Sequence, residues 1–458
     1  MSQTLPEREL RAILGDDYVL TEEADIWSYG FDNSRRHALA DFVVLPESTQ
    51  QISQIVTLCN QHKLPLIARG KGTGTTGATV PVAGGIILST ERMNKIVRID
   101  PDNRYIVVQP GVTNTEVQTA AAEHGFFWPP DPTSANFCSV GGNLAYNSAG
   151  PRAVKYGTPR ENTLGLEAVT GKGKIMRCGV YTTKGVVGYD LTRLLIGSEG
   201  TLAIITEATL KLTPLAEDKN TIKAIYNSID SAAKAVASIM AQSTTPCSLE
   251  FMDKNALNMV REYSNASLPE NAGAMLMIEV DGKTAHLQQM TADIKQAASN
   301  DGLELFAVAH NQDEVKALWE TRKALSPSLR HVAPKKINED VVVPVSNIPA
   351  LINGLEKIST QHAIPIVNFG HAGNGNIHVN LLVQEKDEAA YQCLDEVFKL
   401  VLSLDGTLSG EHGVGIDKLE FIENELGQEA LTVMQSIKQA FDPNGILNPG
   451  KTIPAKKD

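Results

Sequence analysis

Asp41-Phe-Val-Val-Leu-Pro reads as a strand, and Ser48 to His62 then sets Ile52, Ile55, Val56 and Leu58 at the spacing of one helical face. Leu64-Pro-Leu-Ile-Ala predicts a second strand. The resulting β-α-β unit runs directly into Arg69-Gly-Lys-Gly-Thr-Gly-Thr-Thr-Gly. Gly85-Ile-Ile-Leu-Ser and Tyr105-Ile-Val-Val-Gln are short β-branched runs, hence strands, and Gly200 to Pro214 is an apolar run followed by strand-like alternation. After Pro214 the texture changes: Ser231 to Ala241 and Ala285 to Ala298 predict helices, and Ala274 to Val280 predicts a strand. This α+β stretch extends to roughly residue 425, before a helix near Glu429 to Ala440 and a loop-like tail.

The chain has 458 residues, more than one hydrophobic core usually organises, so two domains or one interrupted domain is expected. Hydrophobic residues make up 42% and charged residues 21%, which excludes collagen-like, coiled-coil and disordered classes. Five scattered cysteines with no C-x-x-C pair point to neither a disulfide framework nor a thiolate metal site, and favour a reducing compartment. No apolar run reaches membrane-spanning length and no signal-like N-terminus is visible, so the expected location is cytoplasmic. A net charge of -12 and the lack of a dense basic face argue against a nucleic-acid partner. A single arginine would still suffice for an anionic substrate.

Gly72-Thr-Gly74-Thr-Thr-Gly77 matches G-x-G-x-x-G after a strand. A dinucleotide fingerprint of the Rossmann kind must open a helix, yet Ala78-Thr-Val-Pro-Val-Ala-Gly-Gly follows, and Pro81, Gly84 and Gly85 do not make a helix interior. No G-x-x-x-x-G-K-[ST] occurs. What is left is either a plain glycine-rich turn or an anion cradle, in which backbone N–H groups, the hydroxyls of Thr73, Thr75 and Thr76, and Arg69 face phosphate oxygens.

Six segments in order resemble the FAD-binding oxidases and dehydrogenases of the vanillyl-alcohol oxidase type, in the branch of D-lactate dehydrogenases, D-2-hydroxyglutarate dehydrogenases and glycolate oxidase subunits. They are the Arg69 loop, Pro130-Asp-Pro-Thr-Ser, Gly141-Gly-Asn-Leu-Ala-Tyr-Asn-Ser-Ala-Gly-Pro with Lys155-Tyr-Gly, Gly197-Ser-Glu-Gly-Thr-Leu-Ala-Ile-Ile-Thr, Gly370-His-Ala-Gly-Asn-Gly-Asn-Ile-His-Val-Asn and Gly410-Glu-His-Gly-Val-Gly. The resemblance implies an α+β fold. Residues 1–215 would form a two-part FAD-binding domain, a small β-α-β subdomain plus a larger mixed one. Residues 216–425 would form a substrate or cap domain of antiparallel sheet and helices, and 426–458 a segment returning to the FAD domain. It further implies FAD contacts at Arg69, Gly70, Gly72, Thr73, Gly74, Thr75, Gly77, Pro130, Thr133, Ser134, Gly142, Asn143, Ser148, Tyr156, Gly157, Glu199, Gly200 and Ile205. Relatives that tether flavin covalently often carry a histidine in the first loop. Here Lys71, Thr73 and Thr75 surround the glycines, so noncovalent FAD is expected.

His371 and His378 flank Ala-Gly-Asn-Gly-Asn-Ile; His378 and Asn380 are expected on one strand face, with His371 in the loop before it. Two imidazoles and the carboxylate of Glu411 suit a divalent cation such as Zn²⁺ or Mn²⁺. The resemblance implies that His371, His378 and Glu411 are metal ligands and that His412, beside the reacting carbon, is the base that takes the hydroxyl proton. Leu318 to Ser326 predicts a helical stretch with Arg322 and Ser326 four apart on one face, and in the resembling enzymes an arginine here grips the substrate carboxylate. Resembling enzymes that act on 2-hydroxyglutarate add a lysine further on that holds the second carboxylate. Lys336 falls near that position, but counting back from Pro344 puts Asn338 there, which tilts the expectation toward D-lactate. The implied partners are a small 2-hydroxy acid and an electron acceptor, whether quinone, cytochrome or electron-transfer flavoprotein. A homodimer and peripheral contact with the inner face of a membrane are compatible with the resemblance.

Overall fold

Ser48 accepts the backbone N–H of Gln51 and so caps the helix Thr49–His62, whose buried face carries Ile52, Ile55, Val56 and Leu58. In the computed structural model, which describes residues 5–263, 271–385 and 387–455, this helix connects the strands Phe42–Val44 and Leu66–Arg69. Both strands pair in parallel with Ile86–Ser89, which lies between them. Val19–Leu20 adds an antiparallel edge. The core of this four-stranded sheet joins Leu10, Ile52, Ile55, Leu66, Ile86 and Leu88. Burying side chains of this size contributes roughly 1.5 to 3 kcal/mol each before entropy is counted.

The chain divides into two compact units. The first comprises Met1–Ala149, Gly157–Leu215 and Glu411–Asp458. Besides the four-stranded sheet it holds an antiparallel five-stranded one, in spatial order Ile96–Asp100, Tyr105–Val108, Ala203–Lys211, Thr163–Thr170 and Ile175–Gly179. The helices Asn114–Ala122 and Val140–Tyr146 contribute Val117, Ala121, Val140 and Leu144 to its core, beside the fully buried Trp128. No helix follows Gly77: the chain stays irregular until Ile86.

The second unit comprises Gly150–Tyr156 and Ala216–Gly410. Its antiparallel sheet runs Leu303–Val308, Asp218–Tyr226, Ala274–Gly282, Ser248–Asp253, Ile366–His371, Asn376–Val383 and Lys335–Val342. The helices Lys254–Tyr263 and Gln312–Val332 share a core with it that includes Met252, Met275, Leu325, Leu329 and Phe369.

Two boundaries differ from the sequence reading. The return to the first unit begins at Glu411 rather than 426, because Ile416 N–H donates to Thr76 O (2.8 Å) and Val414 N–H to the Glu199 carboxylate (2.6 Å). Residues 150–156 join the second unit, where Lys155 and Tyr156 both bind Asp281. His371 is also displaced from its expected loop: it is the last residue of a strand, held in register against Glu250 on one side and Asn376 on the other. The last helix is longer than expected, Ile422–Phe441, with a break at Gly427, whose φ is 72°.

Candidate functional site

The glycine-rich loop leaves its strand at Arg69, which is buried and donates from Nη1 to Phe31 O at 2.6 Å. Burial lowers the pKa of this guanidinium, against the pull of Asp32, Tyr29 and Glu91. Gly72 has φ 67°, a left-handed conformation, and a Cβ there would run into the Arg69 guanidinium. A Cβ at Gly74 would meet the Tyr146 ring. At these two positions the loop backbone lies so close to Arg69 and Tyr146 that a side chain would require them to move. Arg69 and Gly70 line one cleft of the first unit together with Gly142, Glu199, Gly200 and Ile205, six of the positions expected to hold cofactor, and with Thr79, Pro110 and Tyr146.

Other expected contacts shape the cleft's surroundings. Asn114 Nδ2 donates to Pro130 O (2.9 Å) and to Asn143 Oδ1 (3.3 Å), tying two of the matching segments together. Ser134 O accepts the amides of Phe137 and Cys138, Ser148 N–H donates to Asn143 O, and Thr133 is exposed. Thr73 and Gly77 complete the loop, and Gly157 is left-handed with φ 81°. Tyr156 belongs to the second unit and gives its hydroxyl to Asp281 Oδ2 at 2.7 Å. Glu199 spends its carboxylate on the Val414 and Gly415 amides and the Thr452 hydroxyl, at 2.6, 2.8 and 3.0 Å. Burial pushes that carboxyl up, although these three donors and Lys418 oppose the shift. Thr76 Oγ donates to His412 O (3.2 Å), so the loop carrying Glu411 and His412 is bound to the glycine-rich loop within the first unit.

In the second unit, antiparallel register puts Glu250, His371, Phe369, His378, Val367 and Asn380 on one sheet face, since directly paired residues share a side. Arg322 projects from Gln312–Val332, whose N-terminus Asn311 caps, and its Nε donates to Glu250 Oε2 at 2.7 Å. Glu250 Oε1 binds His371 Nδ1 at 2.6 Å. The Arg322 guanidinium lies over the Phe369 ring, 5.0 Å from its centroid, and the His371 and His378 rings meet edge-on at 5.5 Å. Burial alone would raise the Glu250 carboxyl, but His371 and Arg322 together hold it below the usual carboxylate range. Ser326, one turn beyond Arg322, is exposed. Asn380 is fully buried and commits its amide: Nδ2 donates to Val367 O and His378 O, and Oδ1 accepts Asn338 Nδ2 at 2.6 Å. Lys336 lies opposite Leu382, one pleat beyond the Asn338–Asn380 pair.

Residues 215–452 match the family described as FAD linked oxidases, C-terminal domain, and residues 40–179 match the FAD binding domain family. The chain belongs to the FAD-linked oxidases. It is 40% identical over 428 residues to the glycolate oxidase subunit GlcD of Bacillus subtilis, covering 92% of this chain and 91% of the relative. Identity to a D-lactate dehydrogenase of Archaeoglobus fulgidus is 35% over 434 residues, covering 93% and 95%. The fold is also that of p-cresol methylhydroxylase, with TM-score 0.79, 18% identity and coverage of 98% and 97%. The protein is an FAD-linked oxidoreductase.

The cleft fits such a cofactor. The loop approaches so closely that side chains at Gly72 and Gly74 are excluded, and the Thr75 and Thr79 hydroxyls are buried with no hydrogen-bond partner among the described residues. Among the described residues no three histidine, cysteine or acidic side chains cluster as a metal site, and Nδ1 of His371 is taken by Glu250. The divalent cation is an expectation of the resemblance alone. The residue that sequence reasoning missed is Glu250. Its signal was a carboxylate inside Leu249-Glu-Phe-Met, a run otherwise apolar and buried throughout. No helix among the described residues is long and apolar enough to cross a membrane.

Proposed function

We propose that the protein oxidises a short 2-hydroxy monocarboxylate, of the D-lactate and glycolate kind, to the 2-oxo acid. The observation that carries this reading is the Arg322 guanidinium, 11% exposed and oriented by a buried carboxylate. Such a fork suits one planar carboxylate, and a charge-assisted pair of this type contributes roughly 1.5 to 3 kcal/mol. Arg322 holds the acid's carboxylate, and the resemblance assigns to His412 the role of the base that takes the 2-hydroxyl proton as the carbonyl forms. Arg69, the glycine-rich loop and the cleft would hold a noncovalently bound FAD, which would supply the acceptor for the electron pair and hydrogen leaving the carbon. A second carboxylate is disfavoured by the strand register, because the residue opposite Asn380 is the neutral Asn338, while Lys336 stands about 7 Å farther along the strand. The names of the relatives, a glycolate oxidase subunit and a D-lactate dehydrogenase, support the same substrate class, and the subunit name supports a redox partner that reoxidises the flavin.

Anaerobic mixing with D-lactate and glycolate should bleach the flavin absorbance, whereas L-lactate and D-2-hydroxyglutarate should do so at least tenfold more slowly, a margin of about 1.4 kcal/mol. Acid denaturation of the same sample should release all of the flavin into solution. Failure of every 2-hydroxy acid to bleach the flavin would remove the reading.

A further inference from the structure

Glu250 has two oxygens and two partners: Oε2 takes Arg322 Nε at 2.7 Å and Oε1 takes His371 Nδ1 at 2.6 Å. It is 1% exposed and sits mid-strand, paired to Met277 on one neighbour and to His371 on the other, so its backbone cannot shift without breaking two ladders. Resting on the substrate reading above, we propose that Glu250 is a positioning residue, one buried carboxylate that aims the Arg322 guanidinium and the His371 ring together.

Three features distinguish this arrangement from an ordinary buried ion pair. First, the bond to Arg322 uses Nε, which leaves the edge formed by the two terminal nitrogens as the face to offer a ligand carboxylate. Second, the Phe369 ring supports the guanidinium plane from one side, so the carboxylate and the ring fix both its direction and its tilt. Third, binding at Nδ1 sets the His371 tautomer and ring rotation, so the ring's Nε2 edge faces away from Glu250. The local charge follows the same logic. A buried arginine with no counter-ion would be too costly to keep, and a counter-ion elsewhere on the guanidinium would compete with substrate.

The test uses the holoenzyme and the variants Glu250→Gln, Glu250→Asp, Arg322→Ala and the double variant E250Q/R322A. Flavin content and thermal midpoint report integrity. Anaerobic bleaching by D-lactate and glycolate reports turnover, and calorimetric titration with oxalate, a non-oxidisable dicarboxylate, reports the grip itself. Glu250→Gln should keep its FAD while KM and the oxalate Kd rise by about tenfold or more. Glu250→Asp keeps the charge but is one methylene too short to reach both partners, and should lose affinity as well. The double variant should bind oxalate no more weakly than Arg322→Ala alone, because Glu250 acts through Arg322. Should Glu250→Gln not accumulate with flavin, Glu250→Asp carries the same comparison. Wild-type oxalate affinity in either Glu250 variant, or losses that simply add in the double variant, would overturn the proposal while leaving the substrate reading intact. If no 2-hydroxy acid bleaches the wild-type flavin, the substrate reading falls and the proposal with it.

Discussion

Asp253 ends the strand that carries Glu250, and it is buried among three N–H donors: Ala256 N at 2.7 Å, Asn368 N at 2.8 Å and Asn368 Nδ2 at 3.0 Å. Burial is the largest influence and raises its carboxyl to about 7, in spite of those donors. The fold therefore prefers the protonated form over the unfolded chain, where the group titrates near 4. The stability tied to Asp253 is complete below about pH 4 and is lost as pH climbs through about 7. Urea midpoints of the wild type and Asp253→Asn across pH 4 to 8 should diverge accordingly, with the wild type losing stability relative to the variant as pH rises. Parallel curves would show that Asp253 does not titrate in this window.

At the scale of elements, the C-terminal tail does more than end the chain. Asn448 Nδ2 donates to Ala78 O (3.0 Å) and Glu199 O (2.7 Å), and Lys451 Nζ donates to Val80 O (2.5 Å) and Asn448 Oδ1 (2.7 Å). One buried segment thus holds two walls of the cofactor cleft. Asn448→Ala leaves two carbonyls without that donor, and should lower stability by about 1 to 3 kcal/mol and weaken FAD retention. Thermal unfolding and the flavin-to-protein absorbance ratio measure both.

The tail also marks where the sequence stopped being legible. Thr49–His62 announces itself through its apolar spacing and the capping Ser48, and the glycine-rich loop through the missing helix after Gly77, because these are local patterns. Arg322 was legible as one turn of an amphipathic helix. Its partner was not, since Glu250 lies 72 positions away and only the pairing of two strands brings His371 beside it. Glu199 was read as a cofactor contact. It does line the cleft, but its carboxylate serves Val414, Gly415 and Thr452, partners more than 200 residues downstream that no local pattern links to it. That Asn338, and not Lys336, pairs with Asn380 follows only from the register of Lys335–Val342 against Asn376–Val383, which residue counting leaves open.

On the scale of the whole molecule, the first unit is discontinuous: the chain departs at Leu215 and re-enters it at Glu411. A ribosome making this protein completes every strand of the second unit before it supplies Val414, Asn448 and Lys451, which brace the cofactor cleft. At typical synthesis rates of about 5 to 20 residues per second, the cleft waits on the order of ten seconds or more for its last wall. A chain ending at Gly410 should therefore recover little or no flavin when mixed with FAD, although the second unit's residues are all present. Adding residues 411–458 back in cis should restore the yellow colour. If so, flavin capture would wait on residues 411–458, and a nascent chain released before them would leave the ribosome without its prosthetic group.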